Sequence, residues 1–93
     1  MTRFLLSTVR SVHDRAAYFA GWRNVRDAVT ERGGHAWIFA GADDPDRFIE
    51  FIEWKQGDDG PALIDEAAVR STRSDLDRCG SATEQLWKEA EPS

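Results

Sequence analysis

The pattern of apolar residues in this chain of 93 residues predicts one α+β domain, an antiparallel sheet with helices packed on it. Three observations predict it. Alternation of period two, over residues 2–12, 35–40 and 48–54, is interrupted by helical periods over residues 15–32 and from Pro61 to about Arg78. The second and third alternating stretches are joined only by GADDPDR, residues 41–47, so their strands are expected to be antiparallel neighbours. Each alternating stretch also carries apolar residues at both odd and even positions, so both faces of the sheet are expected to be covered.

The first strand, residues 2–12, places Phe4, Leu6, Thr8, Arg10 and Val12 on one face and Leu5, Ser7, Val9 and Ser11 on the other. Asp14 follows as an N-cap, because its carboxylate can accept from the free amides of a first helical turn. Tyr18, Trp22, Val25 and Val29 then recur at helical spacing and form one stripe, which Gly33-Gly34 ends. In the hairpin, His35, Trp37 and Phe39 share a face, as do Phe48, Glu50, Ile52 and Trp54. The turn between these strands is rich in Gly, Asp and Pro, each a turn former. After the polar break QGDDGP, residues 56–61, a second helix is expected to begin near Pro61, with Val69, Thr72, Leu76 and Cys79 as its stripe and Ala62 and Asp65 extending it. Gly80 is its stop. Residues 81–91 support two readings: the capping-box spacing of Ser81 and Glu84 suggests a short helix, whereas topology favours a fourth strand.

The totals bound the function. A single domain of this size buries roughly two-thirds of its unfolded surface. With four Trp, five Phe and 41% hydrophobic residues, it carries more large apolar surface than one small core hides, which points to a homodimer. A net charge of −5 and a pI near 4.9 argue against nucleic-acid and anionic-membrane partners. The lone cysteine, Cys79, fits a reducing compartment. No apolar run approaches the length of a signal-peptide core or a membrane span, so cytoplasmic is the expected location.

The order β-α-β-β-α, with an uncertain tail, is a ferredoxin-like layout. Helices cover one side of such a sheet, and a second copy of the sheet is the simplest cover for the other. In this order, in length and in the segment FIEFIEWKQGDDGPAL, the chain resembles the dimeric α+β barrel superfamily, which includes small antibiotic-biosynthesis-monooxygenase-like proteins. The resemblance spans most of the chain and implies a dimeric barrel. In the cofactor-independent monooxygenases of this kind, an Asn and a Trp in the pocket are linked to oxygen chemistry. The only asparagine here, Asn24, lies on the first helix, away from the strand position at which that residue is usual.

Candidate chemistry is sparse. Glu50 and Glu53 point to opposite faces of one strand, so at least one needs a partner inside the fold or in an interface, and Arg10 is the candidate. Such a pair fixes register more often than it does chemistry. Tyr18, Trp22, Trp37, Phe39 and Trp54 are candidates for an aromatic pocket between helix and sheet, with Arg10, His35 and Glu50 as its polar groups. The expected ligand is small and hydrophobic or aromatic. His35 is a residue type that can serve as acid, base or ligand, but at a strand end a solvated histidine is the simpler expectation. No spacing of His, Cys and carboxylates reads as a metal site, and no cofactor is implied. Asp43, Asp44, Asp46, Asp58 and Asp59 lack calcium-loop spacing and read as solvated turns. The leading expectation is therefore a small-ligand-binding or structural homodimer. A cofactor-independent monooxygenase acting on an aromatic or polyketide-like substrate is the alternative.

Overall fold

The computed structural model describes the whole chain except Asp58, Pro92 and Ser93, so the expectation for Asp58 lies outside the described residues. Its elements are β1 (Thr2–Ser11), α1 (Arg15–Glu31), β2 (His35–Ala40), β3 (Arg47–Gln56), α2 (Ala67–Leu76) and β4 (Ala82–Lys88). Single 3-10 turns at Leu63–Asp65 and Asp77–Cys79 flank α2. The strands form one antiparallel sheet in the order β2-β3-β1-β4, a ferredoxin-like β-α-β-β-α-β domain. The tail is a strand. β1 has a free edge once β3 is paired, and β4 satisfies its backbone groups along that edge, whereas a helix of this length would be marginal.

Local chemistry sets the first half. Asp14, in extended conformation, accepts from the Ala17 amide at 3.0 Å and starts α1. Gly33 ends it at φ 81, in the left-handed region that other residues enter at a cost. The next amide, of Gly34, then reaches back to the Val29 carbonyl at 3.0 Å. The stripe of Tyr18, Trp22, Val25 and Val29 is buried against β3 and α2.

The second helix differs from the expectation of one helix from Pro61 to Arg78. Ala62 and Glu66 are extended, with ψ of 138 and 139, which isolates the turn at Leu63 from α2. That break lets the Leu63 side chain join the core, while Glu66 reaches Arg32 at the end of α1. Asp65 is exposed and does not extend the apolar stripe, whereas Val69, Leu76 and Cys79 are buried. At Gly80 the chain passes so close to β1 that an added Cβ would stand 1.6 Å from the Ser11 carbonyl oxygen. Only glycine fits there.

The two sheet faces differ in cover. The helical layer closes over Leu6, Phe48, Ile52 and Trp54, all nearly inaccessible. Among the described residues, no helix lies on the other face. It carries Trp37 stacked on Phe51 at 5.4 Å, Phe39 edge-on to Phe51 at 6.1 Å, and the half-buried Leu5, Val9 and Ile49. Phe39 and Trp87 remain 58% and 49% exposed, far more than large apolar side chains in a core. On β4, Leu86 is also exposed, because β4 reaches beyond the helical layer.

Candidate functional site

Register builds the most unusual cluster in the molecule. Thr8 lies opposite Glu50 and Arg10 opposite Phe48, so Arg10 and Glu50 are diagonal neighbours on the helix-facing side. Tyr18, from the first turns of α1, descends onto the same point. Arg10 Nε donates to Glu50 Oε2 at 2.7 Å, and the Tyr18 hydroxyl donates to the same oxygen at 2.9 Å. Arg10 and Glu50 are each only 4% exposed, and Tyr18 is fully buried. Arg10 Nη1 turns the other way. It donates to the carbonyls of Leu76 and Gly80 at 3.1 and 3.0 Å and to Asp77 Oδ1 at 3.1 Å. It thus supplies a cation to the C-terminal end of α2, where carbonyls lack intrahelical partners. One side chain joins the sheet centre, the first helix and the end of the second.

The electrostatics keep this network in one protonation state. Burial lowers the affinity of the Arg10 guanidinium for its proton, but hydrogen bonds and charges from Glu50 and Asp77 more than offset this and hold it above its ordinary value. The Tyr18 phenol is pushed well above the usual tyrosine range, first by burial and then by the negative charge and hydrogen bond of Glu50. It remains a donor throughout the neutral range. Oε2 of Glu50 already accepts two hydrogen bonds, which suits a fixed anchor. Glu53, the other candidate partner, faces the open side and lies 3.7 Å from Arg3.

The remaining candidates are distributed rather than gathered. His35 and Trp54 both line a cleft of about 650 Å³ at the end of the sheet, whose walls include Arg3, Arg32, Glu53 and Leu63. Trp54 is 4% exposed, stacks on Phe4 at 5.8 Å and donates from Nε1 to Gln56 Oε1 at 2.7 Å. Trp22 and Trp37 line a shallower hollow between α1 and β2, of about 330 Å³. Phe39 lines a small hollow at the edge of the open face with Val9 and Ile49. Among the described residues, no group of three or more His, Cys, Asp or Glu is placed to hold a metal ion, and no helix is long and apolar enough to cross a membrane. Two things escaped the sequence: the role of Arg10 at the end of α2, and the bond from Tyr18 to Glu50. A tyrosine rather than a phenylalanine in a buried stripe, facing a strand with an inward carboxylate, was the available signal.

Comparison with known proteins gives a structural answer. No family model matches the chain, and no curated protein matches it. Solved structures do. SnoaB, a cofactor-independent oxygenase from Streptomyces nogalater, superposes with a TM-score of 0.80 at 9% identity, over 99% of this chain and 97% of that one. A putative antibiotic biosynthesis monooxygenase from Nitrosomonas europaea gives 0.74 at 18% identity, over 98% and 93% of the two chains. Another from Bordetella bronchiseptica gives 0.71 at 17% identity over the full length of both. At these identities the likeness is one of fold: the chain has the ferredoxin-like α+β fold found in antibiotic biosynthesis monooxygenase-like proteins.

Proposed function

We propose that the protein is a cytoplasmic homodimer that binds a small aromatic ligand, with the open sheet faces of two copies packed together and the cleft of His35 and Trp54 as the ligand site. The cleft carries the binding reading. Its volume of about 650 Å³ lies in the range of small-molecule sites, and its walls carry an indole, an imidazole, three cationic side chains and the carboxylates of Glu53 and Glu66. That combination suits an aromatic ring bearing a hydroxyl group. The apolar open face supports the assembly, since a second copy would bury Trp37, Phe39 and Phe51 without a further partner. Light scattering on a size-exclusion column should give twice the monomer mass at micromolar concentration, and a clean monomer would refute the assembly. For the ligand, titration with 1-naphthol should give saturable shifts of the Trp54 indole and His35 ring signals. Unchanged spectra would refute the site.

A second reading, cofactor-independent oxygenase, is supported by the superposition on SnoaB over nearly the whole chain. It requires oxygen uptake with an aromatic quinol above the rate without protein. Against it stands the buried network, in which Glu50 Oε2 is held between Arg10 and Tyr18. Absence of uptake with a quinol that demonstrably binds would leave the binding reading alone.

A further inference from the structure

Arg10 retains a hydrogen-bonding edge that its ion pair does not use. Nε is directed to Glu50 and Nη1 to the end of α2, while Nη2 has no acceptor among the described residues. No fully buried side-chain nitrogen or oxygen among those residues lacks a partner. Nη2 must therefore keep an opening, although the residue as a whole is 4% exposed. The hollow that Arg10 lines is a groove of about 410 Å³ between α2 and β4. Arg70, Arg73, Ser74 and Asp77, spaced along one side of the helix and its end, form one wall; Ala82 and Glu84 form the other.

Within the groove the charges are unequally engaged. Arg73 bonds Glu84 across the mouth, and Asp77 bonds Arg10 while its side chain stays 72% exposed. Arg70 has no carboxylate partner among the described residues. Counting Glu50 behind Arg10, three guanidinium groups face three carboxylates, so the groove is electrically balanced as a whole, and Arg70 is the one of its cations that no carboxylate engages among the described residues. Apart from Ala82 every lining residue is polar or charged, which disfavours an aromatic occupant. We propose that this groove binds a small oxyanion, a carboxylate or phosphate group on a polar molecule, held by Arg10 Nη2, by Arg70 and by the Ser74 hydroxyl. Guanidinium groups suit such anions because their planar N–H edges match the oxygens, and a preoriented buried donor loses little freedom on binding. In a chain of net charge −5, an anion that binds here does so by local geometry rather than by the overall field. The groove is separate from the cleft of His35 and Trp54, and the two readings stand or fall independently.

The test is a titration of isotopically labelled protein with inorganic phosphate and, separately, with succinate, at constant ionic strength set with sodium chloride. Saturable shifts should centre on Arg70, Ser74, Ala82 and the Arg10 guanidinium. Arg70→Gln should weaken binding about tenfold, the scale of one charged hydrogen bond, without moving the melting temperature. The stronger of the two titrants identifies the group, phosphate or carboxylate. Three results overturn the proposal: no saturable shift with either anion, saturation unaffected by Arg70→Gln, or shifts centred on His35 and Trp54. The last would place the anion in the cleft and leave ligand binding there intact. Saturation in the groove with no response to 1-naphthol would instead remove the cleft and keep the groove.

Discussion

Glu50→Ala should lower the unfolding free energy by about 3–5 kcal/mol, the usual result of leaving one member of a buried ion pair without its partner. The substitution strands two donors at once. Arg10 Nε loses its acceptor at a site only 4% exposed, and the Tyr18 hydroxyl loses its acceptor in the centre of the core. The Tyr18 hydroxyl has no route to water, since the residue is fully buried. Glu50→Gln keeps the volume and one acceptor oxygen, so it should cost less than the alanine variant. Replacing both partners by apolar residues would normally restore much of such a loss. Here Arg10→Met with Glu50→Leu should restore little, because Arg10 also satisfies the Leu76 and Gly80 carbonyls at the end of α2. Chemical denaturation at one fixed protein concentration separates these cases. A loss under about 1 kcal/mol for Glu50→Ala, the size expected of an exposed position, would show that the network is solvated rather than closed.

Trp54→Ala should cost a comparable amount, about 3–5 kcal/mol, from lost transfer free energy and the cavity left behind. The indole is 4% exposed, lies face to face with Phe4 across the β1–β3 pair and fixes Gln56 through Nε1. Gln56 in turn donates to the Gly60 carbonyl at 3.3 Å, so the loop that follows β3 depends on the same ring. Trp54→Phe retains most of the apolar area and loses only the N–H, so it should fall well short of the alanine loss. Because Trp54 also lines the cleft, stability and affinity have to be measured on the same variants. A mild stability loss with abolished naphthol binding would make Trp54 a ligand contact first and a core residue second.

Much of this architecture is written locally in the chain. Alternation at His35–Ala40, the carboxylate of Asp14 and the Gly33-Gly34 pair each act within a few residues, so the hairpin and α1 were legible in place and type. The inward charges of Arg10 and Glu50 stood out because a strand that is otherwise apolar must pair them. The fourth strand was ambiguous for a physical reason: Ser81 and Glu84 have capping spacing, and only the free edge of β1, distant in sequence, decides for a strand. The broken start of α2 was hidden because Ala62 and Glu66 are compatible with helix, and the pull of Leu63 into the core is tertiary. The groove was invisible for both reasons together, since its two walls are the end of α2 and β4. The separation of Trp37 and Phe39 from Trp54 follows from the odd and even positions in paired strands, but which face the helices would choose does not.

The central place of β1 bears on how the chain reaches this state. β1 precedes the other strands in the chain, yet both of its neighbours come late: Phe4 lies between Trp54 on one side and Lys88 on the other. Only the β2–β3 pair can close over a short loop. Every other pairing in the sheet must overcome the entropy of a long closure before its hydrogen bonds and buried area compensate. A nascent chain therefore carries an apolar, unpaired β1 until β3 has emerged, and keeps one open edge until β4 has emerged. The Arg10 anchor follows the same schedule, because its acceptors at Glu50, Leu76 and Gly80 arrive in that order. Of the four strands, the one made earliest is the last to have both its edges paired.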